Sequence, residues 1–208
     1  MFLCLLPGYR ERTGSSLVYM MEHFVKMGLE GSDFFLGRDQ TLFEQLLTNR
    51  EKDVPTVLFG VSFGLLDFVE QYQMSFPNLI VMETGGMKGR RAEMHKDQLH
   101  SILKQSFDVN RIHSEYGMTE LFSQSYSKGD GLFFPPSTKQ IFISEITDPF
   151  TEERNGKTGI LNIIDLANID SVSFIQTQDL AVKNDNGSFY LQGRLDHADI
   201  RGCNLMIQ

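Results

Sequence analysis

The chain has 208 residues, 41% of them apolar, with 27 acidic against 19 basic side chains and a formal net charge of −8. That length carries one or two domains with a core of ordinary size, and the acidic balance excludes the basic footprint expected of a nucleic-acid-binding surface. Two cysteines are too few for a disulfide framework and no apolar run approaches a membrane span, so the expected setting is reducing and cytoplasmic.

The opening segment Met1-Phe-Leu-Cys-Leu-Leu-Pro7 lacks the basic start and long apolar stretch of a signal peptide and reads as a buried strand, with Cys4 a small apolar residue inside it. Ser15 or Ser16 is placed to cap a helix over residues 17–25 that ends at Met27-Gly28. Asp39 is placed to cap another running through Leu42, Leu46 and Leu47. Residues 56–60 and 79–82 are short apolar runs of the kind buried in parallel sheets, and Leu65, Leu66, Phe68, Val69 and Tyr72 recur between them at helical spacing. That is a βαβ unit, followed by a helix near Lys96–Phe107 and a strand near residues 111–113. From Lys139 onward, short strands alternate with turns at Asn155-Gly156 and Asn186-Gly187, the second predicting a hairpin between residues 180–183 and 189–191. The expected fold class is α/β, with a parallel sheet and flanking helices over residues 1–138 and a small antiparallel β subdomain over residues 139–208.

Chemistry concentrates in His113-Ser-Glu-Tyr-Gly-Met-Thr-Glu120, which sets an aromatic ring, a glycine, a hydroxyl and a carboxylate together after a strand ending near Ile112. A sharp turn at Gly117 would let Thr119 donate to a phosphate oxygen while Glu120 holds Mg²⁺; plain loop chemistry is the competing reading. Tyr116 is the candidate to stack on an adenine, against the alternative of an ordinary half-buried aromatic. Downstream, Thr177-Gln-Asp-Leu-Ala181 puts Asp179 after a strand, where an acid accepts both hydroxyls of a ribose. Gly193-Arg-Leu-Asp-His-Ala-Asp-Ile200 brings Arg194 toward the sugar or phosphate from the other side. The loop Glu83-Thr-Gly-Gly-Met-Lys-Gly-Arg-Arg91 follows a strand, where open α/β sheets place ligands, although a solvated basic turn also fits it. The five histidines lack the spacing of a zinc helix.

Taken in order, these segments resemble the adenylate-forming superfamily, the acyl-CoA synthetases, luciferases and peptide-synthetase adenylation domains that make acyl-AMP from a carboxylic acid and ATP. The fuller wording of Met82-Glu-Thr-Gly-Gly-Met-Lys-Gly-Arg-Arg91 and Ile112-His-Ser-Glu-Tyr-Gly-Met-Thr-Glu-Leu121 resembles more narrowly the acyl-protein synthetases related to the bacterial bioluminescence fatty-acid ligase. Asn162-Ile-Ile-Asp-Leu-Ala-Asn168 and Arg201-Gly-Cys-Asn-Leu205 resemble them too, so the likeness runs over essentially the whole chain. It implies Gly85 and Gly86 against adenine, Tyr116 and Gly117 beside the nucleotide, Thr119 on the α-phosphate and Glu120 on Mg²⁺. Asp179 would take the ribose hydroxyls, Arg194 the sugar or phosphate, and Asp196 the hinge position, while Lys88, Arg90 and Arg91 would face phosphate or the acyl carboxylate. The implied cofactors are ATP, its product AMP, and Mg²⁺, and the implied substrate is a fatty acid or other carboxylic acid. Cys203, beside Arg201, would take the acyl group as a thioester and pass it to a protein such as an acyl reductase. An acyl- or aryl-CoA ligase is one alternative, and a non-catalytic remnant that binds AMP or a partner is another.

The chain also departs from the family. The only stretch comparable to an upstream phosphate loop, Arg12-Thr-Gly-Ser-Ser16, lacks the glycine-rich, multiply hydroxylated character such a loop needs. No lysine follows Lys183 to act as the catalytic lysine of a mobile C-terminal domain, and Ser114 stands where many members carry an amide against adenine. The expectation is a truncated form, the C-terminal portion of a larger synthetase.

Overall fold

The structure, a computed structural model, describes residues 1–7, 14–86 and 94–195. The expectations for Arg12, Lys88, Arg90, Arg91, Asp196, Arg201 and Cys203 fall outside the described residues. The chain divides into two compact units, Met1–Thr84 with Lys96–His113, and Gly85–His95 with Ser114–Gln208.

The first unit is a parallel α/β layer. Its strands β1 (Phe2–Leu5), β2 (Asp33–Phe34), β3 (Val57–Val61) and β4 (Ile80–Thr84) lie in the order β2-β1-β3-β4, every neighbouring pair parallel. The helices are α1 (Ser16–Met27), α2 (Asp39–Glu51), α3 (Ser62–Gln71) and α4 (Lys96–Phe107). Ser15 caps α1 through its hydroxyl, which accepts from the Val18 N–H at 3.3 Å, as the sequence predicts. Asp39 does not cap α2. It is the first helical residue, where its carboxylate complements the positive end of the helix dipole, while Arg38 holds the cap position and is bound to Asp33 at 2.6 Å. Leu65, Leu66, Phe68 and Val69 bury α3 against β3 and β4, and Phe68 stacks on Phe107 of α4 at 6.2 Å. Cys4 lies fully buried in β1, and burial pushes its thiol up to about 12, with Asp33 adding to the effect.

The second unit is antiparallel. Its strands are β5 (His113–Tyr116), β6 (Ser125–Ser127), β7 (Leu132–Phe134), β8 (Lys139–Ser144), β9 (Thr158–Asp165), β10 (Phe174–Lys183) and β11 (Phe189–Arg194). They lie in the order β5-β6-β7-β11-β10-β9-β8. Two corrections follow. The strand expected at residues 111–113 runs through Tyr116 instead, and residues 114–138 cluster with the second unit because β6 turns back on β5 and β7 pairs with β11. The predicted hairpin is present, with Gly187 at φ 81°, in the left-handed region that glycine enters without a Cβ penalty. Tyr116, Leu121, Phe133, Ile141, Ile143, Leu161, Ile163, Ala181 and Phe189 form the core, and the cross-strand partners Phe133 and Phe189 stack at 5.4 Å. Among the described residues, no helix is long and apolar enough to cross a membrane.

The contact between β8 and β9 is tight at Gly159, where a Cβ would run into the Ser144 carbonyl oxygen and lie 2.7 Å from the Ile143 side chain. Backbone cannot step aside as a flexible side chain does. Gly159→Ala is therefore expected to cost about 1–3 kcal/mol, read as a lower urea midpoint at unchanged slope. An unchanged midpoint would mean that the strand pair opens freely.

Candidate functional site

Asp179 occupies an irregular stretch of β10. Against β9 the register steps from Gln176↔Asn162 to Leu180↔Ile160, four residues on one strand against two on the other, and against β11 it shifts between Leu180 and Ala181. Such bulges re-aim side chains and are common beside active sites. Thr177 fixes this one: its hydroxyl donates to the Leu161 carbonyl at 2.9 Å and accepts from the Asp179 N–H at 3.0 Å. Asp179 is thereby set opposite Arg194 of β11, whose Nε lies 3.3 Å from Oδ1, while the Tyr116 hydroxyl donates to Oδ2 at 2.7 Å. The Arg194 Nε and Asp179 Oδ1 face each other as an ion pair without an aligned hydrogen bond, and Arg194 Nη2 donates to Gln178 Oε1 at 3.1 Å. Three of the predicted residues thus meet in one cluster.

Tyr116 differs from expectation in its surroundings. Its ring is 1% exposed, edge-on to Phe133 at 6.0 Å and to Phe189 at 5.9 Å, with Lys139 Nζ 5.2 Å from the ring centroid. The ring is enclosed rather than presented to a ligand, because its hydroxyl needs a buried acceptor and finds one in Asp179. Gly117 likewise serves in another way than predicted. Its φ is not in the left-handed region; a Cβ there would instead strike the Glu115 carboxylate and lie 3.0 Å from Gln124 Cγ. Clearance for the Glu115 and Gln124 side chains, not a left-handed turn, is what the glycine provides.

Thr119 and Glu120 follow on an exposed turn closed by the Leu121 N–H on the Met118 carbonyl at 3.1 Å. Behind it sits a buried polar group that sequence reasoning missed. Asp165, fully buried at the end of β9, accepts at Oδ2 from the Phe122 and Ser123 N–H groups, both at 2.8 Å. Its Oδ1 accepts from Ser123 Oγ at 2.6 Å and the Ala167 N–H at 3.1 Å. Burial pushes this carboxyl up, but the bonds from Ser123, Phe122 and Ala167 outweigh it and leave the pKa below the usual carboxylate value. Lys139, 4% exposed, donates from Nζ to the Ser123 carbonyl at 2.9 Å. Its ammonium is driven down to about 8 by desolvation, against the opposing pull of Asp165 and Glu115.

Gly85 follows β4 at φ 74°, a conformation suited to glycine, and Gly86 is buried beside it. Glu83, two residues earlier, is 2% exposed and is held by Lys96 at 2.9 Å, His100 Nε2 at 3.2 Å and the Ser62 hydroxyl at 3.2 Å. The sequence Gly60-Val61-Ser62-Phe63-Gly64 around that serine spans a strand-to-helix turn, as a nucleophile elbow does. Ser62 is not among the positive-φ residues, and Glu83 rather than the imidazole meets its hydroxyl. The Ser62 bond anchors the end of β4 through Glu83.

Among the described residues, no three His, Cys, Asp or Glu side chains converge on a common point. Glu120 offers a single exposed carboxylate. That fits Mg²⁺, which binds through one or two carboxylates together with substrate phosphates and retained waters.

No protein-family model and no curated protein matches the chain. Solved structures do. ATP-bound MatB from Rhodopseudomonas palustris shares its fold at a TM-score of 0.65 and 14% identity over 93% of this chain and 40% of that one. A long-chain-fatty-acid-CoA ligase, FadD1, from Archaeoglobus fulgidus gives 0.61 and 13% over 93% and 43%. The O-succinylbenzoate coenzyme A synthetase MenE from Bacillus subtilis, in complex with ATP and magnesium, gives 0.51 and 16% over 76% and 36%. The fold is therefore that of part of these ligases, and the chain spans about two fifths of their length.

Lys139 makes the energetics of this region measurable. With a native pKa of about 8 against an ordinary 10.5, the unfolded chain binds more protons than the native one between those values, so this group makes stability rise with pH across that window. Denaturant midpoints of wild type and Lys139→Met, measured below pH 8 and again between 8 and 10.5, should differ increasingly in favour of the wild type. A pH-independent difference would show that the ammonium is not desolvated.

Proposed function

We propose that this chain is the nucleotide-gripping part of an ATP- and Mg²⁺-dependent ligase that activates a carboxylic acid, most simply a fatty acid, as its acyl-AMP. One observation carries the reading: Asp179 and Arg194, the two residues assigned to the sugar and phosphate, are cross-strand partners on a bulge within the fold of known ligases. In this reading Asp179 accepts the ribose hydroxyls, Arg194 turns its guanidinium to the sugar or α-phosphate, and Thr119 donates to a phosphate oxygen. Glu120 would hold Mg²⁺, which supplies charge neutralisation at the phosphates. Gly85 and Gly86 would give a backbone wall close to the adenine, with Gly117 bordering the nucleotide and Tyr116 setting Asp179 from the core side. Arg194 and Thr119 would stabilise the negative charge that builds on the phosphoryl oxygens as the carboxylate attacks.

The sugar's way in follows from the partners of Asp179. Tyr116 holds Oδ2 through a short hydrogen bond, whereas Arg194 faces Oδ1 without an aligned one. The arginine side chain is 14% exposed against 2% for the aspartate, so a ribose hydroxyl would reach Oδ1 by displacing Arg194.

Calorimetry on the 208-residue chain tests the grip. AMP should bind more tightly than ATP, because the residues assigned to sugar and α-phosphate lie in this chain while the sequence before His113 offers no Ser/Thr/Gly-rich stretch for the β- and γ-phosphates. Asp179→Ala should weaken AMP by about 1–3 kcal/mol, the cost of leaving buried hydroxyls without an acceptor, and Glu120→Gln should chiefly remove the response to Mg²⁺. Unchanged affinity and unchanged magnesium response in both variants would refute the assignment. Absence of any binding would favour a remnant that has lost nucleotide recognition.

The acceptor is the finer question. We favour transfer to Cys203, whose thiolate would attack the carbonyl of the mixed anhydride, forming the thioester as the acyl–phosphate bond breaks and AMP leaves, with the thiol proton passing to solvent. A protein such as an acyl reductase would then take the acyl group. The names of FadD1, MenE and a benzoate CoA ligase among the similar structures support the second reading, transfer to free coenzyme A. Given synthetic labelled acyl-AMP, the wild-type chain should acquire hydroxylamine-sensitive label that Cys203→Ser does not. Full label on the serine variant, or label passing at once to coenzyme A, moves the assignment to a CoA ligase.

A further inference from the structure

We propose that Asp165, assisted by Asn168 and Lys139, is the positioning residue of the Thr119–Glu120 turn, fixing from behind the two groups assigned to phosphate and magnesium; the inference rests on the nucleotide reading above. The turn lies in the stretch between β5 and β6, outside the strand ladder. Besides the Leu121–Met118 backbone bond that closes it, its backbone is held by side chains. Asp165 binds the N–H groups of Phe122 and Ser123, Lys139 donates to the Ser123 carbonyl, and Asn168 Nδ2 donates to the Glu120 carbonyl at 2.7 Å.

These three residues come from one piece of scaffold. Lys139 of β8 and Asp165 of β9 are register partners, and Asp165 caps the single helical turn Leu166–Asn168 by accepting from Ala167. A second bond from Asn168 Nδ2, to the Val172 carbonyl at 2.8 Å, ties that turn to the chain leading into β10. All three are buried, whereas Thr119 and Glu120 are exposed. The network therefore bonds the backbone of residues 120–123, beside the two exposed residues assigned to ligand. Charged buried partners are costly unless fully bonded, and charge-assisted bonds are short and directional. A loop that needed only to be covered would not require them; one that must present a carboxylate at a fixed place does.

The test compares two titrations of the whole 208-residue chain: AMP without Mg²⁺, and ATP with Mg²⁺. Asp165→Asn leaves one acceptor oxygen where two served, so an amide NH2 must face N–H donors on one side or the other, and Asn168→Ala removes the donor to Glu120 from the other side, so a folding defect in one variant leaves the other to report. In both, Mg²⁺-dependent ATP binding should fall by about 10-fold more than Mg²⁺-free AMP binding, the scale on which outer-shell partners act on a metal site. General loosening of the fold would move both titrations together. Equal losses, or none, in both variants overturn the positioning role and leave the nucleotide site standing. A wild-type chain that binds neither ligand overturns the nucleotide reading, and this inference with it.

Discussion

The hydrogen bond from Tyr116 to Asp179 joins residues 63 positions apart and makes one side chain serve both the core and the polar cluster of the second unit. The tyrosine ring completes the aromatic group with Phe133 and Phe189, while its hydroxyl satisfies a carboxylate that could not otherwise be buried at so little cost. The bulge at Thr177–Asp179 sets the place of the carboxylate in this bond, since a regular β10 would carry it in a different register with β9. Core packing and site geometry are for this reason coupled. A change at Phe133 or Phe189 that tilts the ring moves the phenol, and the phenol moves the carboxylate.

Asp165 plays a comparable part for a loop. Both acids are almost wholly buried and both are bound by groups distant in sequence, but their partners differ in kind. Asp179 meets a phenol and a guanidinium, whereas Asp165 meets mainly backbone N–H groups and a hydroxyl. Backbone donors cannot rotate away as side chains can. Asp165 is accordingly suited to fixing a main chain, and Asp179 to exchanging one of its partners. The directions of titration agree with this division, because the bonds to Asp165 overcome its burial, while Lys139, with one carbonyl and a ring face beside it, yields to burial.

The first unit was largely legible in the sequence. Its buried parallel strands are continuous apolar runs, α3 between them has helical spacing, and the bounds of α4 match the prediction because Leu99, Leu103 and Phe107 mark its buried face. The second unit was harder. β6 and β7 are three residues long, and β6 buries Ser125 and Ser127, so neither gives an apolar alternation to read. The site was half legible. Motif order brought out Asp179 and Arg194, but period-two alternation alone does not tell which face of β5 meets the core, so the enclosure of Tyr116 was not foreseen. Asp165 and Lys139 were passed over for a physical reason as well: charged side chains are rarely fully buried, and only the paired register of β8 and β9 shows that these two are.

An acceptor as enclosed as Asp179 is not at odds with a role in binding sugar. A carboxylate in water must be stripped of its hydration before a hydroxyl can donate to it, and that cost reduces the gain from the new bond. Here the hydration is lost on folding, and Tyr116 keeps one oxygen in place throughout. The other oxygen faces a guanidinium in an arrangement without an aligned hydrogen bond. Under the proposed reading, a ribose hydroxyl at Oδ1 replaces that contact with an aligned hydrogen bond, and Arg194, still within reach of Gln178, becomes available to the phosphate. The exchange turns an imperfect internal pair into two well-directed contacts with ligand, so the affinity comes from preorganisation of the acid and not from its exposure.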